Sequence, residues 1–261
     1  MLKDMNIHTH LKPPTVFPLH GLILSIQVIM KKIFAIITVL FTSLVMLQAA
    51  GAASGCVIID PGHSPHAPGA TSCTGKPEYL YNAALAESVA AHLSAQHIPV
   101  ALTRQAHEEL SLGDRARSAS GKCLFLSIHH DSVQPQFITW KDSRPISAKA
   151  EGYSIFISRK NRYYAQSLNY ARTLGAALRS RGLRPSLHHA EKIAGENRQL
   201  LDPDLGIYRY DDLVVLRKAD APAILLEAAV LVHPQDEERA ASAAFQRQIA
   251  DAVADMMSHV K

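Results

Sequence analysis

The sequence carries little charge and no strong bias toward either sign. Charged residues make up 19% of the 261-residue chain and hydrophobic residues 48%, a composition typical of a globular protein with a substantial core rather than of a disordered or fibrous chain. Four of the 27 basic residues and one of the 23 acidic residues precede residue 54, so the remainder is nearly neutral. Without a basic surplus, the sequence argues against a nucleic-acid partner.

Cysteine is scarce, and internal repeats and long linkers are absent from the sequence. The three cysteines, Cys56, Cys73 and Cys123, all follow residue 54. In an oxidising compartment this number allows at most one disulfide and leaves one free thiol. The lack of a linker predicts that residues 54–261 form a single domain.

A segment near the beginning of the chain has the order of features found in a secretory leader. Met30 is followed by two lysines, residues 33–47 are apolar apart from three hydroxyl side chains, and residues 49–53 are all alanine or glycine. A basic start, an apolar centre and a small-residue exit predict a signal peptide at 30–53. We therefore expect the protein to act in the periplasm or outside the cell.

The alternative for this segment is a transmembrane anchor. Its apolar centre is shorter than the roughly 20 residues that a membrane-spanning helix needs, so we expect cleavage and no stable membrane anchor. Residues 1–29 show neither a leader nor a domain pattern, and we interpret them as an extension or a start codon assigned too early.

Beyond residue 54, short strand patterns alternate with helical patterns. Apolar, β-rich runs predict strands at 56–59, 99–103, 124–128, 153–157 and 223–226, and apolar stripes predict helices at 78–96, 162–181 and 234–260. The alternation predicts an α/β fold, a single domain with a mostly parallel, twisted β-sheet and helices on both faces. Residues 185–212 are polar and lack periodicity, so we interpret them as a long surface loop.

Four ionisable residues stand where predicted elements begin or end. His63 follows the first strand, His129 follows the strand at 124–128, Glu227 follows the last strand, and Glu78 begins a helix. Because ligands of open α/β sheets bind beyond the carboxyl ends of the strands, we expect these side chains to converge at one edge.

This set of residues suits metal-assisted hydrolysis. Two imidazoles and a carboxylate form a common catalytic zinc site with one position open for water, and a further carboxylate, here Glu227, is needed to move protons to a poor leaving group such as an amide nitrogen. Each residue alone has a simpler explanation, since a histidine after a strand is often a surface residue and Glu78 would favour the helix dipole. Spacing alone leaves both interpretations open.

Five segments, taken together in this order, resemble those of a known family. They are 57–63 (VIIDPGH), 75–82 (GKPEYLYN), 100–104 (VALTR) with Leu112 and Arg115 after it, 124–129 (LFLSIH) and 222–227 (PAILLE). They are similar to motifs of the zinc-dependent N-acetylmuramoyl-L-alanine amidases of the amidase-3 type. The resemblance covers about residues 56–257.

The resemblance implies a chemistry and a substrate. It implies one Zn²⁺ per chain held by His63, Glu78 and His129, with Glu227 as the catalytic proton carrier. The implied reaction is hydrolysis of the amide bond between N-acetylmuramic acid and L-alanine in peptidoglycan, and an activator protein is a possible partner. The alternatives are a cell-wall binding protein with a non-catalytic or structural zinc site, and a zinc peptidase.

The chain departs from the family pattern beside the site. His130-Asp131 replaces the usual Ala-Asn, and Ala228-Ala229 replaces the usual Gly-Phe, which changes the lining of the groove. Segment 132–151 is short and interrupted by prolines, so we expect it to lack the helix that covers the metal in some members.

Other polar and aromatic residues have weaker claims to a role. His130 is an alternative or additional ligand, whereas His188 and His189 are expected to face solvent or line the groove. Four tyrosines are interpreted either as groove-lining or as packing residues, with packing favoured: Tyr163, Tyr164, Tyr208 and Tyr210.

Cys56 and Cys123 begin the two strands that lead to the histidine ligands. If these strands are neighbours, the two cysteines would be close enough to form a disulfide, and we predict this pairing with Cys73 free. A Cα separation beyond about 7 Å would exclude the bond.

Overall fold

The computed structural model describes residues 55–121 and 123–260. The predicted signal peptide at 30–53 and the extension at 1–29 therefore lie outside the described residues. Nine strands are present in the described part: β1 Val57–Pro61, β2 Val100–Leu102, β3 Leu124–Asp131, β4 Thr139–Lys141, β5 Arg144–Ile146, β6 Ser154–Ile157, β7 Gln199–Asp202, β8 Ile207–Arg209 and β9 Ala223–Val230.

Six α-helices accompany these strands in the same residues: α1 Glu78–Ala95, α2 Leu112–Arg117, α3 Tyr164–Ser180, α4 Val214–Lys218, α5 Pro234–Ala240 and α6 Ala243–His259. Over the described ranges, no helix combines the length and apolar character that crossing a bilayer requires.

Seven of the strands form one sheet in the order β2-β1-β3-β9-β6-β8-β7, and β4 and β5 form a separate hairpin. The pairs β1–β2, β1–β3, β3–β9 and β6–β8 are parallel, whereas β6–β9 and β7–β8 are antiparallel. The prediction of a mostly parallel sheet is confirmed.

The central strands are buried on both faces. Apolar residues from α1, α3 and α6, such as Leu85, Leu174 and Ile249, pack in one core cluster with alternate residues of the sheet. Phe125 and Leu225 point the other way and pack with Val215 of α4 in a second cluster. Burial on both faces explains why β3 and β9 are nearly continuous apolar runs, and the predicted α/β fold with helices on both faces is confirmed.

The predicted helix at 234–260 is wrong in one respect, because the structure divides it into α5 and α6. The Ser242 hydroxyl accepts a hydrogen bond from the Phe245 N–H at 3.2 Å and caps α6. A serine side chain that binds a nearby backbone N–H favours a helix start over a helix interior, so the chain restarts there.

The interpretation of 185–212 as a long loop is also wrong. This segment contains β7, β8 and the 3-10 turn His188–Ala190. Ile207 and Tyr208 of β8 are fully buried and extend the sheet beside β6. Strands of three or four residues are too short to show periodicity among polar neighbours, so only tertiary packing defines them.

The predicted disulfide is confirmed. Cys56 and Cys123 are bonded with a Cα–Cα distance of 4.5 Å, because β1 and β3 are neighbours with Val57 opposite Leu124. Cys73 is free and buried.

Replacing Cys56 and Cys123 together by serine should lower the free energy of unfolding by about 4 kcal/mol, because the disulfide closes a loop of 67 residues and restricts the unfolded chain. Urea denaturation measures the change, with Cys73→Ala as the control that keeps the disulfide. Thiol titration of the unfolded, unreduced protein should find one thiol per chain. Three thiols before reduction would contradict the pairing.

Candidate functional site

The three predicted ligands meet at the carboxyl edge of the sheet. Glu78, the first residue of α1, places Oε2 3.2 Å from His63 Nε2 and Oε1 3.2 Å from His129 Nδ1. The two imidazole rings are 5.0 Å apart between centroids. One ligand atom from each residue lies within 4.8 Å of the other two, which is close enough for all three to contact one ion.

A tight turn after β1 positions the imidazoles. His63 has a φ of 58°, in the left-handed region that residues other than glycine rarely adopt. Arg104 holds this conformation by donating hydrogen bonds to the carbonyl oxygens of residues 61–63. Gly62 lies against the His129 ring, where an added methyl group would overlap the imidazole. The turn therefore fixes both histidines at once.

Further hydrogen bonds orient the Glu78 and His63 side chains. Asn82 Nδ2 donates to Glu78 Oε1 at 2.9 Å, and the Ala70 N–H donates to Glu78 Oε2 at 3.0 Å. His63 Nδ1 is 3.1 Å from the Ala67 carbonyl oxygen, which can only accept, so Nδ1 carries the proton and Nε2 presents its lone pair to Glu78. This is the arrangement expected of a metal-binding imidazole.

Electrostatics also favour the ligand forms of these groups. Burial lowers the pKa of His63, although the Glu78 charge opposes the shift. Burial alone would raise the pKa of Glu78, but the hydrogen bond and charge of His129, together with His63, bring it below its ordinary range. Two imidazole nitrogens and an ionised carboxylate fit Zn²⁺.

A buried ion pair stabilises the end of β1 that leads into the site. Asp60, in β1, is fully buried and forms a two-pronged pair with Arg115, whose Nε and Nη2 atoms lie 2.8 and 2.7 Å from its two oxygens. Ser127 and Thr103 each donate a further hydrogen bond at 2.8 Å. Asp60 therefore ties β1 to β3 and to the segment after β2.

Glu227 lies directly beside the ligand set. It pairs with His129 across the parallel strands β3 and β9, so both side chains project from the same face of the sheet. Its Oε2 atom is enclosed and has no hydrogen-bond partner among the described residues. For the protein groups alone, burial and the charges of Asp131 and Glu78 raise the pKa of Glu227 well above its ordinary value.

Both strands continue beyond their predicted ends. β3 reaches Asp131 and β9 reaches Val230, so His129 and Glu227 lie within strands rather than after them. The register between β3 and β9 shifts between His129 and Asp131, and such an irregularity changes the direction of the side chains near a site.

The three other histidines considered as site residues fall into two groups. The His130 ring is buried with Nδ1 2.8 Å from Asn82 Oδ1, and the contact to Glu78 Oε1, at 3.3 Å, is made by the backbone N–H. The alternative that His130 serves as a ligand is therefore not supported. His188 and His189 are not solvent-facing, since burial leaves each largely enclosed. His189 lines a pocket with Glu227, as the groove-lining alternative expected.

Two pockets flank the ligand set and meet at Leu213. One, of about 470 Å³, includes His63, His129 and an apolar wall with Leu112. The other, of about 320 Å³, includes Glu227. Among the four tyrosines, Tyr210 lines this second pocket, whereas Tyr208 is fully buried in the core, as the favoured packing interpretation expected.

Segment 132–151 contains no α-helix. It forms the 3-10 turn Pro135–Phe137 and the β4–β5 hairpin, in keeping with the expectation drawn from its prolines. The His63 side chain remains 33% exposed, so the ligand set is accessible from solvent.

The fold and site together define an α/β protein with a candidate zinc centre at the edge of its sheet. Residues 57–259 match the family described as N-acetylmuramoyl-L-alanine amidase, amidase-3, and the chain belongs to this family.

Individual relatives are distant but cover most of the described domain. The probable cell wall amidase LytH of Staphylococcus saprophyticus is 27% identical over 184 residues, which are 70% of this chain and 50% of LytH. AmiA of Escherichia coli, an N-acetylmuramoyl-L-alanine amidase, is 25% identical over 76% of this chain and 73% of AmiA. This chain thus spans about half the length of LytH.

Among solved structures, the catalytic domain of CwlV, an N-acetylmuramoyl-L-alanine amidase from Bacillus (Paenibacillus) polymyxa var. colistinus, is similar with a TM-score of 0.58 at 25% identity. The match covers 79% of this chain and 99% of that domain. The similarity therefore extends over the whole CwlV catalytic domain.

Replacing Asp60 by alanine should lower the free energy of unfolding by about 3–5 kcal/mol, because Arg115 would be left as an unpaired buried charge. Asp212→Ala, which removes an exposed pair with Lys160, is the matched control and should cost less than about 1 kcal/mol. Urea unfolding compares the two variants. Equal effects would show that the buried pair does not support the edge of the sheet.

Proposed function

We propose that this protein is a zinc-dependent amidase that hydrolyses the bond between N-acetylmuramic acid and L-alanine in peptidoglycan. The observation that carries the proposal is the position of Glu227, paired with His129 beside a complete set of ligand atoms, in a chain of the amidase family. The names of LytH and AmiA support the same substrate.

His63 Nε2, Glu78 and His129 Nδ1 are the atoms that would hold the ion. Zn²⁺ in such a set acts as a Lewis acid toward a carbonyl oxygen and lowers the pKa of water toward neutrality. The hydrogen bonds of Asn82 and Ala67 orient the ligands before substrate binds, so little reorganisation of the site is needed during the reaction.

Glu227 would move the proton in both halves of the reaction. Its carboxylate accepts a proton from the attacking water and then delivers it to the amide nitrogen, which leaves poorly unless protonated. The enclosed position of Oε2 and the raised pKa favour the delivery step, because a carboxyl of ordinary acidity would be a weaker match for a proton carrier near neutral pH.

The place of action is proposed to be the periplasm or the cell exterior. The Cys56–Cys123 disulfide supports this, because structural disulfides persist mainly in oxidising compartments. Removal of residues 30–53 as a signal peptide and control by an activator protein remain predictions.

Glu227→Gln should keep zinc but lower turnover by a factor on the order of 10²–10⁴, since glutamine occupies the same space and cannot carry the proton. His63→Ala should lose turnover together with the ion held by His63, Glu78 and His129. Zinc content by elemental mass spectrometry and release of peptide from purified sacculi measure the two effects. Full hydrolysis by a zinc-replete Glu227→Gln protein would refute the role of Glu227.

The bond that is cut is tested by mass spectrometry of sacculi digested with the protein. We expect stem peptides with a free L-alanine amino terminus, intact glycan strands, and loss of both products after a chelator is added. Cleavage between two amino acids would instead identify a peptidase. Zinc-replete protein that binds sacculi and releases nothing would identify a binding protein.

A further inference from the structure

A second cluster of potential ligands lies at the pocket that contains Glu227, where Asp131 and His189 form part of the lining and His188 lies behind them. Asp131 stands at the end of β3, and His188 and His189 begin the 3-10 turn before β7. Asp131 Oδ2 is 2.8 Å from His189 Nε2 and 3.4 Å from His188 Nε2. One ligand atom from each residue lies within 4.8 Å of the other two, as in the set formed by His63, Glu78 and His129.

The ring nitrogens on the far side of both histidines are occupied. His189 Nδ1 is 2.8 Å from Glu196 Oε2, and His188 Nδ1 is 2.9 Å from the Ser186 hydroxyl. A hydrogen bond on one ring nitrogen fixes the imidazole and leaves the other nitrogen to bind a metal. Both inner nitrogens, Nε2, face the same carboxylate oxygen.

The carboxylates are held in a similar way. The Ser132 N–H donates to Asp131 Oδ1 at 2.7 Å, which leaves Oδ2 to face the histidines. Gln134 Nε2 donates to Glu196 Oε1 at 2.8 Å, and Glu196 Oε2 holds His189. Each outer atom of the cluster thus has a partner, and the inner atoms converge.

An ion pair with Asp131 does not explain the environment of the His188 Nε2 atom. His188 is 7% exposed, and its Nε2 has no hydrogen-bond partner among the described residues. An unsatisfied buried nitrogen is costly, and a cation between it and Asp131 would remove that cost.

Charge in the pocket also favours a cation. Asp131, Glu196 and Glu227 contribute three carboxylates to its lining beside His189, against the single guanidinium of Arg198. This excess of carboxylates attracts positive charge to the position, and a divalent ion would supply it.

We propose that Asp131, His188 and His189 form a second site for a divalent ion of the Zn²⁺ type, in addition to the single ion expected from the family resemblance. The ligand set, two imidazoles and a carboxylate, is of the kind that binds Zn²⁺. The two rings are 3.9 Å apart between centroids and tilted by 37°. This site is separate from the proposed function, which needs only the first ion.

The number of ions per chain tests the proposal. The full chain is loaded with Zn²⁺, freed of excess, and analysed by elemental and native mass spectrometry, and Co²⁺ provides a visible absorption band for each occupied site. We expect two ions in the wild type and one in Asp131→Asn and in His188→Ala. The control His107→Ala, at an exposed histidine, should keep two.

His63→Ala separates the two sites. It should lose the first ion and keep the second, and adding Asp131→Asn should leave none. Circular dichroism checks that Asp131→Asn, a nearly isosteric change, is folded. One ion in the wild type that Asp131→Asn and His188→Ala both retain would overturn the second site. One ion that these variants lose and His63→Ala retains would support it and count instead against the proposed function.

Discussion

The parallel pairing of β1, β3 and β9 is the constraint on which the site depends. The pairing of Pro61 with Ile128 and of His129 with Glu227 places the turn that carries His63, the second imidazole and the carboxylate at one edge of the sheet. The buried Asp60–Arg115 pair and the disulfide fix β1 to its surroundings near both of its ends. Because the strands are buried on both faces, a shift in register would expose polar groups to the core.

The scaffold brings several carboxylates together in a largely enclosed place, and this determines the chemistry available at the site. Glu78, Glu227, Asp131 and Glu196 lie around the same edge, and their charges oppose one another unless cations or hydrogen bonds balance them. Glu78 is balanced by two imidazoles and three hydrogen bonds. Glu227 has an enclosed oxygen without a partner among the described residues, which destabilises its carboxylate and suits it to carry protons.

The features that depend on residues close together in the sequence could be predicted from the sequence alone. The ends of two strand patterns, the start of a helix pattern and the resemblance to family motifs predicted His63, His129 and Glu78 as ligands. The positions of Cys56 and Cys123 at the starts of two strands predicted the disulfide. Ser242 before an apolar stripe was an available signal for the break between α5 and α6. The contact between Asp131 and His189 joins residues 58 positions apart through short strands without periodicity. The departure at Asp131 from the family pattern was the signal available there, but its partners depend on tertiary structure.

The most direct test of this account is a crystal structure of the zinc-loaded protein with an anomalous difference map recorded at the zinc edge. We predict a peak within about 2.0–2.2 Å of His63 Nε2, a Glu78 carboxylate oxygen and His129 Nδ1, with the Glu227 carboxylate adjacent. A zinc-replete crystal with no peak within bonding distance of these three atoms would contradict it.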